Sequence, residues 1–323
     1  MLKDKIRYIF EEIKLVRKMS DIKILLQKLP FSPQRIFGNK YAKETKVPLS
    51  LQIEPTNHCN IKCISCPRDT MGREKGYMDF TLFQKIIDEA SKIGVKYIHL
   101  YLHGEPFMHP KIVDMMSYIK LRGLNFSITT NGTLLNENIN KGILNSGVTI
   151  ADYVNISILG VSKETHENTM KGINHEKVIN NIMNLINLRK KYRMKSPIIQ
   201  TVFYQMPENS HESKLYIKEW KNKVDHATLV SSISYSYADY GEEQLTEGPL
   251  RKNTCTQMWE RMTIFWNGDV SLCIQDVNGD YIIGNLNEST IEMLWNSDKL
   301  RTIRNLHKEK RFSEIKICER CDI

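Results

Sequence analysis

Leu49-Ser50-Leu51-Gln52-Ile53 and, a few residues on, Cys59-Asn60-Ile61-Lys62-Cys63-Ile64-Ser65-Cys66 decide how this chain reads. The first segment is a short apolar run that predicts a β-strand. The second sets three thiols in the spacing C-x3-C-x2-C on the loop after that strand. Three thiolates on one loop can hold three irons of a [4Fe–4S] cluster, which ordinarily takes four cysteines. The missing fourth ligand leaves one iron open to a small molecule. Spacing alone leaves zinc as the alternative, with His58 available as its fourth ligand.

Working outward, strands and helices alternate. Helical pattern over Leu82–Ile93, with Thr81 as its cap and Gly94 as its stop, is followed by strand pattern over Val95–Leu102. Pro110–Arg122 reads as a helix, with Pro110 at its first position and Gly123 at its end. Leu124–Thr130, Tyr153–Leu159, Ile198–Tyr204 and Ala227–Ile233 read as strands. Leu135–Asn145, Lys177–Tyr192 and Glu212–Lys221 read as the helices between them. Such βαβ units predict an α/β fold, an open (β/α)6 partial barrel of the TIM type. Chemistry is then expected at the C-terminal ends of the strands.

Past residue 240 the rhythm changes. Met262–Trp266 and Asp269–Cys273 flank Asn267-Gly268 as a hairpin, followed by a strand at Tyr281–Ile283 and a helix from Thr290 to His307. The expected division is a helical extension over residues 1–48, the barrel over 49–238 and a small α+β module over 239–323. Within the extension, Ile6, Ile9, Phe10, Ile13 and Val16 fall at helical spacing before Pro30.

The 323 residues are 41% hydrophobic and 26% charged, with a formal net charge of +9, which fits a globular chain with a sizeable core. Mean hydropathy is −0.40, and no run approaches the ~18 apolar residues of a membrane span. Charges interrupt the N-terminus every few residues, so a secretory signal is not expected and a cytoplasmic location is. Basic residues are spread along the chain, which reads as a solvated surface rather than a nucleic-acid stripe.

All seven cysteines fall in two groups. The second, Cys255, Cys273, Cys318 and Cys321, has spacing C-x17-C, a long gap, then C-x2-C. An odd total in a chain without a signal argues against a disulfide framework and for metal. A hairpin plus a terminal C-x2-C suits zinc as well as a cluster.

The first triad, together with the loops after later strands, resembles the radical S-adenosylmethionine superfamily from about residue 49 to the C-terminus. After the second strand comes His103-Gly104-Glu105-Pro106, similar to that family's Gly-Glu-Pro segment, which binds the methionine amino group. Thr129-Thr130-Asn131-Gly132 is similar to its ribose-contacting segment, and Ser157-Ile158-Leu159-Gly160 to a segment whose serine lies near the cofactor carboxylate. Departures are Ser65 where an aromatic residue or methionine is common, His103 where glycine is common, and Leu159 where aspartate is common. The C-terminal segment resembles the Twitch form of the SPASM/Twitch extension, with Ile274 in place of a frequent second cysteine.

The resemblance implies a [4Fe–4S] cluster on Cys59, Cys63 and Cys66 whose open iron chelates S-adenosylmethionine, and reductive cleavage to a 5′-deoxyadenosyl radical. It implies an auxiliary [4Fe–4S] cluster on Cys255, Cys273, Cys318 and Cys321. Gly104, Glu105, Pro106, Thr130, Asn131 and Ser157 become cofactor contacts. A reductant of flavodoxin or ferredoxin type is implied, and no nucleic acid. Four thiolates saturate the second cluster, which suits it to accept the further electron released when an alcohol becomes a ketone. The expected activity is therefore oxidation of a small sugar, aminocyclitol or sugar nucleotide. Peptide modification, decarboxylation, epimerisation and deoxygenation use the same parts, and a zinc or nucleic-acid binding module is the non-enzymatic alternative. His58, His103 and His109 on the active-face loops are candidate proton acceptors, or simply bond backbone. His103, Arg68 and Tyr204 are the candidate catalytic residues, Arg68 as an anion anchor and Tyr204 facing substrate at a strand end. Asn209 and Glu212 read as helix caps, and Met258, Trp259, Met262 and Trp266 as core of the small module.

Overall fold

A computed structural model describes residues 45–231 and 250–321. The helix expected over residues 1–30, the boundary at residue 238 and the last residues of the sixth strand lie outside them. In chain order the first part comprises β1 (Ser50–Ile53), β2 (Lys62–Cys63), α1 (Phe80–Ile93), β3 (Tyr97–Leu100), α2 (Ile112–Leu121), β4 (Asn125–Thr130), α3 (Glu137–Asn145), β5 (Tyr153–Ser157), α4 (Lys163–Thr169), β6 (Met170–Lys171), α5 (His175–Lys191), β7 (Ile198–Gln205), α6 (Ser213–Trp220) and β8 (His226–Ser231). The second part comprises α7 (Gln257–Glu260), β9 (Arg261–Ile264), β10 (Asp269–Ser271), β11 (Ile282–Asn285), α8 (Ile291–Trp295), α9 (Asp298–Lys308) and α10 (Lys316–Glu319).

The parallel strands run β1-β3-β4-β5-β7-β8, the order of the partial barrel expected from the alternation. Their rows explain why. Ile53, Leu100, Ile128, Val154 and Ile199 stand in register, and all are fully buried. Each such side chain contributes about 2 kcal/mol of burial against the helix layer. The intervening positions on the other face are polar: Gln52, His99, Ser127 and Tyr153 form one register row. Thr129, Asn155 and Gln200 form part of the next. Alternation thus gives an apolar outer face and a polar inner face.

Helix boundaries follow local chemistry. Asp79, not Thr81, caps α1, because its carboxylate accepts from the Thr81 and Leu82 amides. Gly94 ends it at φ +90°, a conformation only glycine adopts without strain. Helix α2 starts at Ile112, so Pro110 precedes it; Lys111 stands at the cap with its amide bonded to His109 Nδ1 at 3.1 Å. The single helix expected from Thr290 to His307 is two, because the Ser297 hydroxyl caps α9 and interrupts the run. Asn209 and Glu212 are not side-chain caps. The Asn209 amide donates to the Leu159 and Tyr204 carbonyls, and the Glu212 carboxylate accepts from Val161 and Ser162 amides and the Thr165 hydroxyl. Both tie the loop after β5 to the end of β7.

The small module is not a separate layer. Strand β9 pairs in parallel with β1, Leu51 opposite Met262 and Ile53 opposite Ile264, and β10 and β11 continue antiparallel. One hydrogen-bonded sheet therefore runs through both parts, in the order β11-β10-β9-β1 and on to β8. Met258, Trp259 and Met262 are buried in the module as expected. Trp266 is not core: it is half-exposed, with its indole N–H donating to the Glu74 carbonyl at 3.2 Å. Among the described residues no helix is long and apolar enough to cross a membrane.

Candidate active site

The Cys59–Cys66 loop leaves β1 and is held at two places. Its β2 segment pairs antiparallel with β6, Cys63 opposite Met170. The Arg68 guanidinium donates to the Ile61 carbonyl at 3.0 Å, which makes it a brace of this loop. All seven cysteines are free thiols. Burial, then the neighbouring Cys66 and Cys59, push the Cys63 thiol far above its ordinary range, and burial raises Cys59. Buried thiols that disfavour one another's ionisation are relieved when a metal takes their protons. Among the described residues no three His, Cys, Asp or Glu side chains close around a single metal ion. A cluster binds each thiolate to a different iron and spreads its ligands more widely than zinc does, so the triad fits the cluster better.

Next to the triad lies Gly104. A Cβ there would stand 2.2 Å from the Thr56 carbonyl and 2.7 Å from that of His58, so glycine lets the loop after β3 touch the segment leading into Cys59. The Glu105 amide then donates to the His58 carbonyl at 2.8 Å, and Pro106 opens a short 3-10 turn. The Glu105 carboxylate is buried and accepts three bonds: from the Thr130 hydroxyl at 2.8 Å, the Asn131 amide at 2.8 Å and the Phe107 amide at 3.1 Å. Burial raises its pKa to about 7 against the pull of those donors. The Asn131 side chain donates to Asn60 Oδ1 at 3.0 Å and reaches Cys59 Sγ at 4.0 Å. Asn60 in turn donates to the Thr133 hydroxyl at 2.8 Å. The loops after β1, β3 and β4 are thereby locked into one polar network beside the triad. Asn60 was not singled out in the sequence, although its place directly after Cys59 was the available signal.

Ser157 closes β5 on the inner face, in register with Val202 of β7. Tyr204 lies two residues further along β7, half-buried, its phenol pushed up to about 12 by burial and by Tyr101. It is therefore a hydrogen-bond donor at neutral pH. His103 is elsewhere: it is 3% exposed, its ring 6.5 Å from that of Phe265, and burial with the Arg73 charge lowers its pKa to about 3. His109 spends both ring nitrogens, on the Met78 carbonyl and the Lys111 amide, and His58 stacks on Tyr77 at 4.6 Å. Of the three loop histidines His109 thus has both ring nitrogens bonded, whereas His103 Nε2 is buried without a hydrogen-bond partner among the described residues. His99, which was not singled out, stands in the inner polar row with Nδ1 on the Ser127 hydroxyl at 2.8 Å.

A second seam joins the triad loop to the small module. Glu54, fully buried past the end of β1, is gripped by both guanidinium nitrogens of Arg73 at 2.9 and 3.0 Å. Arg73 lies 3.6 Å over the Phe265 ring and donates to the Val277 carbonyl at 2.7 Å.

The C-terminal cysteines also come together. Burial first, and then Cys318, Cys255 and Cys321, hold the Cys273 thiol well above its ordinary pKa; Cys318 is raised by burial and by Cys255 and Cys321. Asp276, fully buried, accepts from Ser271 Oγ, the Asp280 amide and the Tyr281 amide, and so shapes the loop after Cys273. The Cys255 amide is held by His307 Nδ1 at 3.3 Å.

Comparison with known proteins agrees with this geometry. The family model described as "Radical SAM superfamily" matches residues 53–202, and that described as "Iron-sulfur cluster-binding domain" (SPASM) matches residues 255–322. Among curated proteins, the tungsten-containing aldehyde ferredoxin oxidoreductase cofactor-modifying protein of Pyrococcus furiosus is 31% identical over 186 residues, 57% of this chain and 51% of that protein. The chain thus spans about half the length of that relative. Among solved structures, BtrN in complex with AdoMet and 2-DOIA superposes with a TM-score of 0.59 at 16% identity, covering 87% of this chain and 95% of that one. Streptococcus suis SuiB bound to precursor peptide SuiA gives 0.64 at 16%, covering 92% and 79%. At such identity these two show the shared fold. With both domains matched in order over the two cysteine groups, the chain belongs to the radical SAM superfamily, carries a SPASM iron–sulfur domain and uses [4Fe–4S] clusters and S-adenosylmethionine.

Proposed function

We propose that the protein is a radical SAM oxidoreductase acting on a small hydroxylated substrate, a sugar, aminocyclitol or sugar nucleotide. The observation that carries this reading is the polar inner face of the barrel. Gln52, His99, Ser127, Thr129, Asn155, Ser157, Gln200, Tyr204 and Thr228 share that face with Val202, along strands whose opposite face is mostly apolar. Several already bond sideways: Asn155 to the Thr129 hydroxyl at 3.4 Å, Gln200 to the Thr228 hydroxyl at 3.1 Å. A lining of amides and hydroxyls suits a ligand that offers many hydroxyl groups and little apolar surface.

Cys59, Cys63 and Cys66 would hold the first cluster, and Cys255, Cys273, Cys318 and Cys321 the second, of Twitch type. When bound, the first supplies with S-adenosylmethionine a carbon-centred radical, and the second a sink for the electron that an alcohol must lose to become a ketone. The protein's part is placement. Glu105, with Thr130 and Asn131 bonded to it, presents an anion for the methionine ammonium, and Tyr204 donates to a substrate oxygen. An electron carrier of flavodoxin or ferredoxin type provides the initiating electron, and the reaction belongs in the cytoplasm.

The Glu105 environment gives a pH prediction. Its pKa is raised to about 7, so its contribution to folding is full below the unfolded carboxyl value and is lost as pH rises through about 7. Ligand binding runs the other way: the anion that attracts an ammonium forms only as pH rises through that value. Calorimetric titration with S-adenosylmethionine is expected to show binding weakening below about pH 7 in the parent protein. Glu105→Gln is expected to bind weakly with that pH dependence gone.

The reading is tested anaerobically with a panel of ring-deuterated cyclitols, aminocyclitols and sugar nucleotides. Deuterium in 5′-deoxyadenosine together with a ketone product is expected. Deuterium transfer with an epimerised, decarboxylated or deoxygenated product would replace oxidation by that reaction. Turnover only with a peptide would overturn the substrate class.

A further inference from the structure

The described residues leading into Cys255, 250–254, form neither helix nor strand. Arg251 ties the start of this stretch to α10, its backbone N–H donating to the Glu319 carbonyl at 2.7 Å. Helix α9 takes the other end, and does so with one residue. The Thr254 hydroxyl donates to the His307 carbonyl at 3.0 Å, and the Cys255 amide donates to His307 Nδ1 at 3.3 Å. One turn back, Arg304 Nε donates to the Met258 carbonyl at 3.0 Å, so α9 grips the chain on both sides of the thiol. The Cys255 sulfur in turn accepts from the Gln257 and Met258 amides.

His307 completes the buried stripe of α9 with Leu300, Ile303 and Arg304 and is 0% exposed. Its ring lies edge-on to Phe312 at 5.0 Å and to Trp259 at 6.3 Å. An apolar side chain would suit such a place. A backbone N–H can only donate, so Nδ1 is the acceptor and the ring proton sits on Nε2. Nε2 is buried with no hydrogen-bond partner among the described residues. An unpaired buried donor is a cost to the fold. Packing alone therefore does not account for histidine here, whereas the acceptor it offers to Cys255 does. We propose that His307 is a positioning residue for the C-terminal cluster, whose Nδ1 fixes the Cys255 main chain and so aims the Cys255 thiol at the site shared with Cys273, Cys318 and Cys321. Groups that orient a metal's ligands govern how tightly the metal is kept. The inference rests on the second cysteine group holding a cluster and is independent of the oxidative reading.

The test uses the full chain with both clusters reconstituted anaerobically, and no substrate. His307→Asn keeps an acceptor where Nδ1 stands. His307→Gln carries it one methylene further, past the Cys255 amide, and His307→Phe fills the pocket with no acceptor. Iron and acid-labile sulfide are counted first. Each cluster is then followed by its electron paramagnetic resonance signal while an iron(II) chelator is present in excess. In the glutamine and phenylalanine variants the C-terminal cluster is expected to be lost about tenfold faster than in the parent. His307→Asn is expected to stay near the parent, and the N-terminal cluster to be unmoved in all three. Loss at the parent rate in the glutamine variant would overturn the proposal. So would an asparagine variant as labile as the glutamine one, because the acceptor would then not be responsible. Should the phenylalanine variant not fold, the asparagine and glutamine pair decides alone. Failure of the oxidative reading would show separately, as absence of ketone in the deuterium experiment.

Discussion

Replacing Cys63 with alanine is expected to reduce 5′-deoxyadenosine formation to the assay background and to remove about half of the bound iron. Cys63 is the middle cysteine of the triad, on β2, and burial together with Cys66 and Cys59 holds its thiol protonated. Without it, two thiolates remain on a loop that needs three. The C-terminal set shares no residue with the triad, and its scaffold of Asp276 and His307 is untouched. The variant should therefore keep a cluster with normal spectroscopic features from the second set. Cys318→Ala should show the reverse, retaining cofactor cleavage while losing product oxidation. Persistent 5′-deoxyadenosine formation by Cys63→Ala would mean that the cofactor is not opened at this triad.

The second large effect is on stability. Arg73→Met leaves the Glu54 carboxylate, 0% exposed, without the guanidinium that neutralises it. Breaking a buried pair from one side costs about 3–5 kcal/mol, against near neutrality when both partners become apolar. Arg73→Met is expected to melt roughly 10 °C below the parent, and the double variant Arg73→Met, Glu54→Leu to recover part of that. Scanning calorimetry under anaerobic conditions checks both. A single variant that melts with the parent would show that water or another group satisfies Glu54.

These two residues also mark how far the amino-acid pattern could be read. The alternating units were legible because α1, α2 and α3 each end beside a glycine that adopts positive φ, at Gly94, Gly123 and Gly147, and because outward strand positions are mostly apolar. The cysteine spacings and the loops at Gly104-Glu105 and Thr130-Asn131 were legible because their residues act locally, within one turn after a strand. The Glu54–Arg73 pair spans three segments, and nothing periodic announces a partner nineteen residues away. The pairing of β9 with β1 joins positions about two hundred residues apart in a register that only the folded sheet defines. Trp266 misled for the same reason. A tryptophan beside a hairpin turn reads as local core, yet this one bonds the Glu74 carbonyl across the seam. His103 shows a different limit: its place on an active-face loop was legible, but its burial, with the ring 6.5 Å from that of Phe265, was not.

The lateral bond between β9 and β1 has a consequence for anyone dissecting the molecule. Strand β1 has neighbours on both flanks, so a truncated barrel ending before residue 255 would bare a row of amides and carbonyls along its first strand. Such a fragment would be sticky, prone to recruit strands from other chains, and would misreport the behaviour of the half it was meant to isolate. The two iron-binding halves are better regarded as one continuous fabric than as beads on a string.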